Sequence, residues 1–231
     1  MEGKLFKTYD EQLDILKRRG LTISVDEEAK RILEKNNYYN VINGYKDLFL
    51  ATSANSSGND FKRGTGFSEI NALFRFDREL RIIFLKQILR AENNLKSEIS
   101  YEFSKVHGHD NYLTLRNFDL VAGNKRRLKD IVNLIKFIHS DVAQQVGKHE
   151  AISHYMTNYG YVPLWVLVNI LSLGRISRFY SLMRQPERQA VAKKYQVSDK
   201  NLVTMLKMLT HYRNKCAHDE RLYNLKLIKW N

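Results

Sequence analysis

The sequence predicts an all-α fold, a helical bundle with a helical region at its N-terminal side. Three observations carry that expectation. The 231 residues include only two prolines and 11 glycines, too few for the many tight turns that an all-β chain needs. Apolar residues recur at three- and four-residue spacing through most of the chain, and no stretch alternates persistently with period two. Composition is that of a globular protein, with 43% hydrophobic and 27% charged residues, and the length suffices for one large domain or two small ones.

Each element has its own local reason. Thr8-x-x-Glu11 reads as a capping box that opens a helix burying Leu13 and Leu16 and stopping at Gly20. Ser24-x-x-Glu27 opens a second, with Ala29, Ile32 and Leu33 on one face. NNYYNVINGY predicts an aromatic-rich short helix or turn. ATSANSSGNDFKRGTG, residues 51–66, is the one clear polar loop and divides a helical region over 1–50 from a bundle over 67–231. Residues 68–107 form one long helix or two in line, with Leu73, Phe76, Leu80, Ile83, Phe84 and Ile88 as its apolar face and Gly108 as its stop. Residues 124–146 form another amphipathic helix, through Leu128, Ile131, Leu134, Ile135 and Ile138. Pro163 fits the first turn of LWVLVNILSL, whose Trp165 is expected in the core. Gly174 is expected to break that element before RISRFYSLM, a helix starts near Pro186, and Ser198 caps the last one, 199–218.

Thirty-eight Lys and Arg against 25 Asp and Glu give a formal charge of +13. Such an excess suits a polyanion, most simply RNA or DNA. Anionic membrane is the weaker partner, because no basic amphipathic segment stands apart and no run is long and apolar enough to span a bilayer. The single cysteine, Cys216, excludes an internal disulfide and a multi-cysteine zinc site, and packs more readily as a small residue than as a nucleophile. MEGKLFKTYDEQ carries no signal-type apolar stretch, so a reducing cytoplasm is the expected compartment. His107, His109, His149 and His154 form no coherent ligand set, and there is no glycine-rich phosphate loop. Neither metal nor other cofactor is expected.

Residues 211–224 read HYRNKCAHDERLYN. Arg213 and His218 form an R-x4-H pair, which in this composition arises by chance about as often as it occurs here. A basic helix end favoured by the helix dipole is therefore the plain reading. The chemical reading is RNA cleavage by the RNA's own 2′-hydroxyl. Asn214 and His218, four residues apart, share a helix face, whereas Arg213 lies roughly 140° from His218 in ideal geometry and needs its long arm to converge. Imidazole titrates near neutrality and transfers protons. Guanidinium binds phosphate oxygens bidentately and offsets charge in the transition state. Asn214 would hold the imidazole or the phosphate, and Asp219 or Glu220 would raise the histidine's proton affinity.

RNKCAHDERLYN resembles the RN-x-x-AH-x-R-L-[WY]-N signature of the abortive-infection (Abi) proteins of the AbiD/AbiF type, which belong to the HEPN superfamily of helical RNases. Three further blocks resemble that family in the same order: DEQLDILKRRGLTISVDEEAKRILEKNNYYNVINGY, FDRELRIIFLKQILRAENNLKSEISYEF and PLWVLVNILSLGRISRFYSLM. The chain departs from the pattern where Asp219 replaces a common second histidine, Tyr223 a tryptophan and Asn169 an acidic residue. The resemblance implies a HEPN-like helical bundle and a metal-independent endoribonuclease, with Arg213, Asn214 and His218 as catalytic residues. It also implies a homodimer in which two copies of the motif share one pocket, products with 2′,3′-cyclic phosphate and 5′-hydroxyl ends, and a toxin's role in phage defence. Some relatives associate with a structured noncoding RNA. Two histidines are needed as acid and base, and the motif offers one per chain, so a dimer would supply the second.

Supporting candidates are Glu92 or Asn93, which HEPN-like folds would place to orient Arg213, with a solvated helix face as the alternative. The runs Lys17, Arg18, Arg19 and Lys125, Arg126, Arg127, Lys129 are either exposed faces or phosphate tracks. Tyr38, Tyr39 and Tyr45 either pack between helices or stack on unpaired bases. The competing function is a non-catalytic RNA-binding protein that uses the same dimer to hold a structured noncoding or antitoxin RNA.

Overall fold

A computed structural model describes residues 5–51 and 58–225. The fold is all-α: the chain is 72% helical and no strand or sheet occurs among the described residues. Nine α-helices follow one another there: α1 Tyr9–Arg18, α2 Asp26–Asn36, α3 Phe67–His107, α4 Lys125–Gln145, α5 Glu150–Tyr159, α6 Leu164–Leu167, α7 Leu173–Leu182, α8 Gln185–Lys194 and α9 Asp199–Ala217. A π-helical turn at Tyr39–Asn43 and a 3-10 turn at Lys46–Phe49 occupy the aromatic-rich stretch. Residues 52–57 of the polar loop lie outside the described residues. Its flanks are tied by an antiparallel bridge between Leu50 and Phe61.

The chain divides into two compact units. Among the described residues, the first comprises those up to Ile83 together with the segment 219–225, and the second runs from Phe84 to His218. In the first, α1 is closed by the expected capping box: Thr8 Oγ1 accepts from Glu11 N at 3.3 Å, and Thr8 N donates to Glu11 Oε2 at 2.8 Å. Leu13, Leu16, Ala29, Leu33, Val41, Ile42, Phe61, Phe67, Ile70 and Phe74 form its core. The Ser24 cap does not form. α2 starts from Val25 with no side-chain cap, and Asp26, Glu27 and Glu28 complement the helix dipole instead.

α3 is a single helix of 41 residues, ended by Gly108 in the left-handed region at φ +83°. Its buried face differs from the expected one. Within the first unit the inward stripe is Phe67, Ile70, Phe74, Asp77 and Arg81, while Phe76 and Ile83 are each 58% exposed. Two charged residues on the inward stripe made that face look solvent-facing in the sequence. Past Ile83 the buried stripe is Ile88, Glu92, Leu95, Ile99 and Phe103.

The second unit is built around α7, whose Leu173, Ile176, Phe179, Tyr180 and Leu182 are all buried. Phe103, Phe118 and Phe179 meet with ring centroids 5.0–5.6 Å apart, two of the three pairs edge to face. Trp165 is not core; it is 51% exposed and lies beside His109. Nor does Gly174 break a helix. Ser172 caps α7 by accepting from Arg175 N at 3.3 Å, and Gly174 sits in the first turn, where an added Cβ would lie 3.3 Å from Thr210 Cγ2. The missing side chain lets α7 approach α9 closely. Ser198 caps α9 as expected, accepting from Asn201 N at 3.1 Å.

Phe179→Ala is expected to cost about 3–5 kcal/mol by opening a cavity in the aromatic cluster. Gly174→Val is expected to cost about 1–3 kcal/mol by overpacking the α7–α9 contact. Urea unfolding of the two variants measures both, and a loss below a few tenths for either would contradict the packing described.

Candidate functional site

α9 sets the geometry of the expected catalytic residues. Leu202, Leu206 and Cys216 are buried, so the helix has one rotational setting. That setting turns Asn214 and His218 outward, both exposed and one turn apart. His218 is the C-cap at φ −101° and ψ 16°, its N–H donating to Asn214 O at 3.0 Å. Arg213 lies off this face, half-buried, and its Nε is buried without a partner. Among the described residues no hydrogen bond joins the side chains of Arg213, Asn214 and His218. Asn214 shares one rigid outward face with His218, and Arg213 must extend to reach it.

Glu92 is buried and its Oε1 pairs with Lys96 Nζ at 2.8 Å rather than with Arg213, leaving Oε2 without a partner. Asn93 is exposed. Two buried groups of opposite charge, Glu92 Oε2 and Arg213 Nε, thus have unused hydrogen-bonding capacity. Of the basic runs, Lys17 pairs with Asp26 at 2.5 Å, Arg18 is exposed and Arg19 is half-buried. Lys125, Arg126 and Lys129 are exposed. Arg127 is committed internally: Nη2 donates to Asp119 Oδ2 at 2.8 Å and to Ser181 O at 2.9 Å, and Nε to Asp119 O at 3.1 Å.

The first unit contains a network that the sequence reading missed. Asp77, with no exposure at all, receives four donors: Tyr45 Oη at 2.7 Å, Arg81 Nη1 at 2.6 Å, Tyr223 N at 2.6 Å and Leu222 N at 3.1 Å. Arg81 Nη2 donates to Asp219 Oδ1 at 2.5 Å, and Arg221 Nη1 donates to Gly44 O at 2.6 Å. The Tyr45 and Tyr223 rings stack at 5.4 Å. Tyr45 is therefore a buried structural residue and does not stack on bases. Asp219 sits at φ +59°, a left-handed backbone that Asp adopts more readily than most side chains. Its carboxylate accepts from Arg81. The detectable signal was an acid and a base at i and i+4 inside an otherwise apolar stripe.

Burial, followed by donation to Asp77, pushes the Tyr45 hydroxyl from 10.0 up to about 12. Burial works against the charge on Arg81, but its bond to Tyr45 and the charges of Tyr45, Asp219 and Asp77 outweigh that and raise its pKa.

Among the described residues no group of three or more His, Cys, Asp or Glu side chains is arranged to hold a metal ion. No described helix is long and apolar enough to cross a membrane. The family model of the Abi-like proteins matches residues 31–224. That range contains α3, the Asp77–Arg81 network and the whole 213–224 segment, and the chain belongs to the Abi-like protein family. Membership supports a role in abortive infection. Searches of curated proteins and of solved structures each found no significant match.

Asp77→Ala leaves the buried Arg81 with only the exposed Asp219 as counter-ion, takes the acceptor from Tyr45 and from the Leu222 and Tyr223 amides, and is expected to cost about 3–5 kcal/mol. Tyr45→Phe is expected to cost about 1–3 kcal/mol. Because the folded state holds the Tyr45 proton more tightly, its contribution is complete below about pH 10 and is lost as the pH rises toward 12. Urea titrations of wild type and Tyr45→Phe across that window should converge; a constant difference would show that Tyr45 does not titrate as described.

Proposed function

We propose that the protein is a metal-independent endoribonuclease acting in abortive infection, with its active site at the C-terminal end of α9. The observation that carries this reading is the exposed His218 at the α9 cap with Asn214 on the same face, in a chain of charge +13. An exposed imidazole is accessible to a polymer, and the net charge draws a polyanion toward it.

The chemistry balances as follows. His218 takes the proton of an RNA 2′-hydroxyl, whose oxygen attacks the adjacent phosphorus. The P–O5′ bond breaks, and a second imidazole returns a proton to the departing 5′-oxygen. The products are a 2′,3′-cyclic phosphate and a 5′-hydroxyl. Arg213 extends its guanidinium to the non-bridging oxygens as charge builds on them, and Asn214 orients phosphate or imidazole. The second imidazole is the partner subunit's His218 in a two-fold dimer.

A second reading has its own support. The side chains of Arg213, Asn214 and His218 are not hydrogen-bonded to one another, and Arg213 is half-buried. That arrangement also suits a protein that binds a structured RNA without cutting it.

Purified protein with mixed RNA and EDTA is expected to yield cyclic-phosphate ends, and His218→Ala should lower the rate by at least about 100-fold. Unchanged cleavage in His218→Ala rejects the assignment. RNA binding that survives His218→Ala, with no shortening of RNA by wild type, selects the binding protein instead.

A further inference from the structure

Beside the α9 cap, the second unit carries an open groove of about 360 Å³ between α7 and α9. Arg178 and Lys207 bring cations to it, His211 an imidazole, Ser177 and Thr210 hydroxyls, and Asn214 its amide. No Asp or Glu lines it. Arg178 does pair with Asp130 at 2.5 Å, so Lys207 is the cation with less internal compensation. Thr210 Oγ1 donates to Leu206 O at 2.8 Å and keeps its lone pairs. His211 is half-buried, and its Nε2 is itself buried and without a hydrogen-bond partner, so the ring must turn within the groove for that nitrogen to meet a ligand.

The groove is continuous with the expected catalytic face. Lys207, His211, Asn214 and His218 fall at i, i+4, i+7 and i+11, within roughly 60° of one another around an ideal helix. Their successive Cα atoms rise by about 4.5–6 Å along the axis. That repeat is of the same order as the separation of neighbouring phosphates along an RNA strand. A row of donors at such intervals, with cations and without carboxylates, suits a sugar–phosphate backbone better than a base or an apolar ligand. The rise from His211 to His218, about 10 Å, is too large for both imidazoles to serve one phosphate. His211 therefore belongs to a neighbouring nucleotide.

We propose that the α7–α9 groove is an RNA backbone subsite, in which Lys207 and His211 hold the phosphates flanking the one presented to His218. The assignment rests on the same face being an RNA site, but it concerns binding and does not require cleavage. Lys207 and His211 are positioning residues, since neither touches the reacting atoms.

The test measures binding of a short single-stranded 2′-O-methyl RNA, which cannot cyclise, by fluorescence anisotropy over a range of salt concentrations. Lys207→Gln should weaken binding and reduce the slope of log K against log salt by about 0.7. His211→Leu should weaken binding at every salt concentration. Lys105→Gln, the same charge change at an exposed position of α3, should leave affinity unchanged. Binding by Lys207→Gln and His211→Leu equal to that of Lys105→Gln overturns the proposal. Should His211→Leu fail to fold, the exposed Lys207→Gln decides alone. Loss of binding in these variants, with no cleavage of ordinary RNA by wild type, keeps the subsite and rejects the nuclease.

Discussion

A carboxylate with no access to solvent must be surrounded by donors or it destabilises the fold. Asp77 meets that demand with a tyrosine hydroxyl, an arginine and two backbone amides, at Leu222 and Tyr223. Two distant parts of the sequence, FDRELR and ERLYN, are thereby obliged to meet. Arg81 extends the arrangement to Asp219, the residue that follows His218. The 219–223 segment is thus held within the first unit by Arg81 and Asp77. Removing Asp77 would leave the returning backbone amides without their acceptor and the guanidinium with Asp219 alone.

The second unit solves a different problem, that of holding a polar face still. α9 buries Leu202, Leu206 and Cys216, and Gly174 lets α7 come close enough to fix the rotation of the helix. With the rotation set, the outward residues are determined: Lys207, Asn214 and His218 are exposed, with His211 half-exposed beside them. Rigid helices rather than loops present these groups, which is the arrangement that keeps a site within the tolerance that proton transfer needs.

Much of this was legible locally. Thr8 and Ser198 cap their helices because a hydroxyl and the first-turn amides are enough to define a helix start, and Gly108 ends α3 by its positive φ. The shared face of Asn214 and His218 follows from spacing alone. What spacing could not give were features decided by partners distant in sequence. The inward face of α3 was misassigned because Asp77 and Arg81 occupy it, and only Tyr45 and the 219–223 segment make charges tolerable there. Arg127 reads as an RNA contact until Asp119 and Ser181 O claim its donors. Trp165 reads as core until its helix proves to be a single short turn. His211 attracted no notice among seven histidines, because the groove it lines exists only once α7 packs against α9.

The central claim is that His218 and Arg213 act together on one phosphate in a pocket shared by two copies of the chain. Subunit exchange tests it most directly. Wild-type chains and mass-tagged His218→Ala chains are mixed until native mass spectrometry shows the heterodimer, and RNA cleavage in EDTA is then measured. The account predicts that the heterodimer cleaves no faster than the His218→Ala homodimer, because the shared pocket then holds one imidazole where acid and base need two. A heterodimer that keeps half or more of the wild-type rate, or a wild-type chain that cleaves RNA as a monomer, would contradict it.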